Sequence, residues 1–460
     1  MRRTLVKLNL FVRKMSCLLG VIVFFTSKIA IADFTLLYSG DWKVLANGFI
    51  EFDSITDSTK SFTEAIGNAP VARPNTVNGE GGRTQFSVRD TRFGFTIVPP
   101  QFNEWKTKAA IEFDLLGTDP TIGSASGTPE AGFYNNPTVR LRLAYMAAEK
   151  NGWEFLAGQY WAMFGWQPYY FIPSIQVPSV PAMSFSRTAQ ARVTKSMDVG
   201  KETVVQAALG IMRPPQDAAE LPNLEGGFRI ALNSRKSGFT GGATGGQNLQ
   251  PMSLGVSGTV RQFVIPQNTT NPTGDVTHYP GEAIAVDFLI PVLASPDNKD
   301  VGNTLTVGGE FTTGKGYGDE FAGWTGNLAN PLNSSKNLPQ SNVNLDGGIG
   351  DFNSAGSFQL VDLTTFNAYF QYHLPSPTRT WVSGGYGWLY SDNINQLTVN
   401  GLTSAGLVPY DKEQMGFVNI SRNLTNQIRG GAEYAHVITT YGDGTLASDN
   451  RYQVSFWFIF

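Results

Sequence analysis

Arg451-Tyr452-Gln453-Val454-Ser455-Phe456-Trp457-Phe458-Ile459-Phe460 decides how the rest of this 460-residue chain is read. A strand repeats every two residues, so Tyr452, Val454, Phe456, Phe458 and Phe460 share one face and Gln453 and Ser455 lie on the other. In water that aromatic face would make an aggregating edge. Against hydrocarbon it is at rest, provided that the sheet closes and every backbone polar group finds a partner. The stretch therefore predicts the closing strand of a transmembrane β-barrel with aromatics toward lipid.

The other end agrees. Arg2, Arg3, Lys7, Arg13 and Lys14 precede an apolar run over 18–25, and Ala30-Ile31-Ala32 supplies small residues at cleavage spacing. The run is too short to span a bilayer as a helix. Residues 1–32 read as a cleaved signal peptide and 33–460 as one barrel domain. Cys17, the single cysteine, precedes the apolar run, which argues against a lipoprotein site and leaves the processed chain without thiols. The last strand also resembles the terminal signal of outer-membrane barrels, which implies the bacterial outer membrane, its lipid and the barrel-assembly machinery as partners.

Composition fits. The chain has 34 basic and 37 acidic residues, and the leader takes Arg2, Arg3, Lys7, Arg13, Lys14 and Lys28 with it, leaving 28 basic residues. That balance gives no support for nucleic acid as a partner. Fifty glycines, 12% aromatics and only 15% charged residues suit a barrel with a greasy outside and a wet inside.

Alternating runs of about ten residues predict sixteen antiparallel strands, near 42–54, 83–98, 105–115, 138–149, 152–160, 184–195, 201–210, 225–233, 253–262, 280–293, 303–314, 359–374, 379–391, 412–421, 425–437 and 450–460. Long and short connections alternate, which puts both chain ends on the periplasmic side. The Gly-rich connection 234–252 is long where a short turn is due, so its strands run further or the count is off by a pair. Around 85–97 the phase slips, and a bulge near Asp90 would reconcile the halves. Arg92 then faces inward, and Arg89 faces outward unless the bulge lies between the two.

Function has to come from the lumen. Arg92, Arg140, Arg142, Arg192 and Arg429 fall in the inward phase, because a guanidinium facing lipid near the midplane costs several kcal/mol. Such residues attract anions. Equally, Arg140 and Arg142 could neutralise Glu112 and Asp114, read as the acidic counter-face on the neighbouring strand; Val139, Leu141, Leu143 and Tyr145 read as the outward side of theirs. The third external connection, 161–183, is too apolar for an open loop, with Trp161, Phe164, Trp166, Tyr169, Tyr170 and Phe171 among four prolines. It reads as a stiff constriction inside the barrel, or as an interface or plug.

Catalysis finds little footing. His278 in an expected loop, His373 at a turn and His436 at a strand end suggest no triad, and no His/Cys cluster supports a metal. Asp297-Asn298-Lys299-Asp300 lacks calcium-loop spacing and reads as a turn. No enzyme activity and no cofactor are expected.

Four segments carry a family resemblance: Thr91-Arg92-Phe93-Gly94-Phe95, the run 110–117, the run 155–164 and the run 186–194. In these the chain resembles the DcaP-like porins. The resemblance implies a homotrimeric sixteen-stranded channel for small anionic solutes, dicarboxylates being characteristic. Many such porins carry a coiled-coil segment before the barrel, whereas here only 33–41 precede the first expected strand. Two other readings stay open: an adhesin or receptor working through its outer loops, of which 315–358 is the longest, and a channel for more apolar aromatic solutes.

Overall fold

Period-two alternation carries the chain back and forth through a single wall. The computed structural model describes residues 34–460 apart from 67–69, 118–137, 177–179, 217, 267–274, 323, 325–344, 354–356 and 398–408. The expected leader, and most of loops 116–137 and 315–358, lie outside the described residues.

In chain order the strands are β1 Phe34–Ser39, β2 Trp42–Asp57, β3 Arg83–Ser87, β4 Arg92–Val98, β5 Lys106–Asp114, β6 Arg140–Lys150 and β7 Trp153–Trp161. There follow β8 Arg187–Val199, β9 Thr203–Met212, β10 Asn223–Phe239, β11 Asn248–Pro266, β12 Val276–Leu293 and β13 Thr304–Lys315. After the small loop hairpin of β14 Gly350–Phe352 and β15 Phe358–Leu360 come β16 Asp362–His373, β17 Thr380–Tyr390, β18 Tyr410–Asn423, β19 Ile428–Tyr441 and β20 Leu446–Ile459. Strands β3 and β4 both pair with β2 and form one stave, so the wall has sixteen. It closes where β20, already paired with β19, also pairs with β2 from Phe49↔Ile459 to Asp57↔Arg451.

The closing strand behaves as its alternation requires. Tyr452, Phe456 and Phe458 are exposed on the outside and Val454 and Phe460 half-exposed, while Gln453 and Ser455 are buried in the lumen. Outward Ile50 and Phe52 on β2 continue the same belt. Among the described residues no helix is long and apolar enough to cross a membrane; the crossing elements are strands.

The open alternatives at 234–252 and near Asp90 resolve, and the placements of Tyr145 and His278 change. Strands β10 and β11 run well past 225–233 and 253–262, which removes the anomaly at 234–252 and leaves only 240–247 outside strands. Val88 to Thr91 interrupts the second stave as the phase slip requires, with Phe86 outward before it and Phe95 outward after. Arg89 lies within the break and turns to Glu64, 3.5 Å away, and to the carbonyl of Gly117 at 3.2 Å, while Arg92 opens β4. A register shift between Glu112 and Phe113 flips the second half of β6. Tyr145, expected toward lipid, therefore faces the lumen opposite Ala110 and packs on Tyr160 at 4.6 Å, and Met146 takes the outer side. His278 lies in β12 rather than in a loop.

Two segments leave the wall and fill its interior: the connection 162–186, entering from the external end, and the tip of the β10–β11 hairpin, entering from the periplasmic end. A continuous apolar core, including Phe164, Trp166, Tyr170, Ile172 and Met183, packs the first of these against inward residues of the wall.

Candidate functional site: a lumen narrowed from both ends

The loop 162–186 crosses the lumen and is held at each crossing by a carboxylate. Glu225 of β10 accepts the amides of Met163 (2.8 Å) and Phe164 (3.0 Å). Glu310 of β13 accepts the amide and hydroxyl of Ser184 at 3.0 and 2.6 Å. Glu433 of β19 accepts the Ser174 hydroxyl and the Ile175 amide, both at 2.9 Å, and the Asn419 side chain at 2.8 Å. Each carboxyl group satisfies donors that the loop has taken out of water.

Aromatic packing does the rest. Phe164 is fully buried and meets Tyr317 edge-on at 5.6 Å. Trp166 lies against Gly255 of β11, where an added Cβ would come within 2.9 Å of the indole, so glycine there admits the ring to the wall. Tyr170 donates its hydroxyl to Ser253 at 3.1 Å. These three rings fasten the loop instead of facing the opening. Tyr169 is more exposed and lies 4.2 Å from the Arg229 guanidinium. Trp161 and Phe171 instead line a cavity of about 80 Å³ with Phe49, Glu51, Asp90, Arg92 and Arg142.

Between β4 and β8, alternate staves carry the arginines: Arg92 on β4, Arg140 and Arg142 on β6, Arg187 and Arg192 on β8. Arg140 grips Asp114 with two bonds of 2.9 and 2.6 Å. Arg142, buried, reaches Glu112 at 2.7 Å and Asp114 at 2.9 Å. Arg92 is 3.7 Å from Glu112. The neutralising contacts weighed from sequence for Arg140 and Arg142 are thus present, and Arg92 approaches the same Glu112. Arg187 and Arg192 differ: among the described residues neither has a carboxylate within ion-pair distance. Arg187 instead stacks over Trp161 at 5.0 Å and Arg192 over Tyr160 at 5.2 Å.

Arg429 has another task. It is wholly buried near the periplasmic end and donates to the carbonyls of Ala243 (2.6 Å) and Gly245 (3.1 Å) and to Asn423 (2.8 Å). Its Nε and one terminal nitrogen are taken up by Asn423 and the hairpin, and burial keeps the group away from solutes. Sequence reading missed four more lumen arginines. Arg187 begins its strand, Arg229 and Arg261 sit in plain inward phase, and Arg451 lies just ahead of the closing aromatics. Arg451 binds Asp57 through two bonds of 2.6 and 3.0 Å and donates to Gln176 of the loop at 3.2 Å. Inward phase alone would have found Arg229 and Arg261; their partners, Tyr170 and the Asp319–Glu320 pair, lie far along the chain.

The histidines take structural places: His373 is buried against Trp381 and bonded to Gln371 at 3.0 Å, and His436 bonds Asn450 at 3.0 Å. Among the described residues no group of three His, Cys, Asp or Glu could hold a metal. Asp297 closes the expected turn by accepting the amides of Lys299 (2.9 Å) and Asp300 (3.0 Å), which hold its carboxyl below the usual range.

No family model and no curated protein sequence matches the chain. Solved structures do. The outer membrane channel DcaP of Acinetobacter baumannii superposes with a TM-score of 0.60 at 16% identity, covering 92% of this chain and 99% of that one. Weaker likenesses include an anion-selective porin from Comamonas acidovorans (TM-score 0.48, 10% identity, 91% and 100% covered) and Salmonella typhi OmpF in complex with daunomycin (0.48, 10%, 92% and 99%). The chain has the fold of the DcaP channel, a closed sixteen-stranded outer-membrane barrel of porin type.

Proposed function

We propose that this barrel is a porin of the bacterial outer membrane that lets small hydrophilic anions, dicarboxylates among them, diffuse passively through a lumen narrowed by the loop 161–183. The observation that carries the reading is the run of arginines on β4 to β8, ending in Arg187 and Arg192, beside a cavity walled by Trp161 and Phe171. A guanidinium stacked on an aromatic ring keeps its charge and its in-plane donors available to a passing carboxylate. Several weak sites, rather than one strong one, let an anion both enter and leave. No chemical step or cofactor enters. Assembly as a homotrimer and insertion by the barrel-assembly machinery rest on the family resemblance and on the terminal strand.

The test is the zero-current potential of purified protein in planar bilayers under a salt gradient. Wild type should prefer anions, and Arg187→Ala/Arg192→Ala should lose most of that preference while still conducting. Cation preference in wild type, or no change in the double variant, would sink the anion reading.

A further inference from the structure

The hairpin of β10 and β11 does not end where the wall ends. Register is lost between Leu232 and Lys236, and the hairpin bends there. The Arg235 guanidinium holds the bend by donating to the carbonyls of Pro291 (2.8 Å) and Val292 (3.1 Å), and the Ser295 amide bonds the Lys236 carbonyl at 2.7 Å. Beyond it, the tip runs across the barrel. The Gly238 amide bonds Thr304 of β13 at 2.9 Å, the Thr240 amide bonds Gln371 of β16 at 2.7 Å, and Asn423 of β18 donates to Gln247 at 3.0 Å. Arg429 of β19 clamps two of its carbonyls. None of these staves adjoins β10 or β11 in the wall. Ala243 then packs with Phe49, Ile175, Trp457 and Ile459 at the seam.

We propose that this hairpin is a second, periplasmic selectivity element: it blocks the β13–β20 side of the lumen and forces solutes past the arginine-bearing staves. The inference rests on the pore reading above. At the tip, the Gly242 amide meets the Ile172 carbonyl of the external loop at 3.2 Å, so the two inserts touch. Residues 241–244 form one side of the cavity whose other side carries Arg92 and Arg142. Gly242 itself has φ +66 and nothing within 4 Å of where a Cβ would stand. A side chain there would enter the opening. A short turn would have joined β10 to β11 at no cost; the longer hairpin is instead fastened by a wholly buried arginine and by hydroxyl and amide side chains that match its backbone.

Two variants read the element in opposite directions in single-channel recordings under a salt gradient. Replacing 240–247 by an Asn-Gly turn should raise conductance about two-fold or more and lower anion preference, because an unlined route opens. Gly242→Asn, which tolerates the left-handed backbone, should lower conductance and keep the preference. Heat-modifiable gel mobility checks folding; if the shortened chain does not fold, Gly242→Asn decides alone. Wild type conducting with both folded variants unchanged overturns this inference and leaves the pore intact. A silent wild type beside a conducting shortened variant supports the hairpin as the blocking element. Silence of all three overturns the pore reading and this one with it.

Discussion

On staves β4 to β8 the lumen wall shows guanidiniums, two of them resting on aromatic rings with no carboxylate partner among the described residues, whereas on β10, β13 and β19 it shows carboxylates spent on fastening a loop. Both walls are rich in charge, but Arg187 and Arg192 have no carboxylate partner among the described residues, whereas Glu225, Glu310 and Glu433 are engaged by the loop. A carboxylate that accepts two or three internal donors has its lone pairs filled and repels a passing anion less than its formal charge implies. The sign of a lumen therefore follows from which groups are already engaged, not from a count of acids and bases. This chain, acidic overall, can still present a basic path.

The comparison is broken most directly from the fastening side. Glu310→Ala/Glu433→Ala deprives the loop of the acceptors for Ser184, Ser174 and Ile175, each such bond contributing about 0.5–1.5 kcal/mol. The loop should come loose. Liposome-swelling assays should show larger sugars entering, and recordings should become noisy. Next in size, Phe164→Ala should lower folding stability by about 3–5 kcal/mol through its cavity, and Trp161→Ala should instead raise the size limit with a smaller loss. If the two behave alike, fastening and lining are not separate jobs.

From the arginine side, Asp114→Asn leaves Arg140 and Arg142 short of a partner and should increase anion preference by a moderate amount in the zero-current potential. A decrease would mean that Asp114 serves chiefly to hold those side chains in line. The smallest effect belongs outside the lumen. Amide and hydroxyl bonds from Thr445, then Arg73 at 2.6 Å, hold the Asp443 carboxyl down to about 2. Because the folded value lies below the unfolded one, its support is present above about pH 4 and is lost as pH falls toward 2. Pepsin should cut the 58–82 loop faster across that window, and Asp443→Asn should remove the pH dependence.

Much of the wall could be read from alternation alone, since lipid outside and water inside impose period two on every stave. The phase slip near Asp90 was visible because Phe86 and Phe95 cannot both face lipid without a break. The slip in β6 was not, because Tyr145 is amphipathic and fits either side, and the shift shows only in the pairing with β5, between Glu112 and Phe113. The constricting loop announced itself by aromatic content. Which rings fasten and which line did not, since Phe164 and Trp161 differ only in what they meet across the barrel. Arg429 looked like a solute ligand until the carbonyls of 243 and 245 were found against it, and those lie almost two hundred residues away.

The seam between β2 and β20 has a consequence for time rather than for passage. Asp53 bonds Ser455 across 402 residues of chain, so the first full stave must wait for the last. Until then its edge is a row of open donors and acceptors. Strand β1 pairs locally with the start of β2, from Ser39↔Trp42 to Phe34↔Ala46, on the stretch that β20 does not reach. That short hairpin can form at once and cover part of the waiting edge, a cuff worn during synthesis and kept after the barrel has shut.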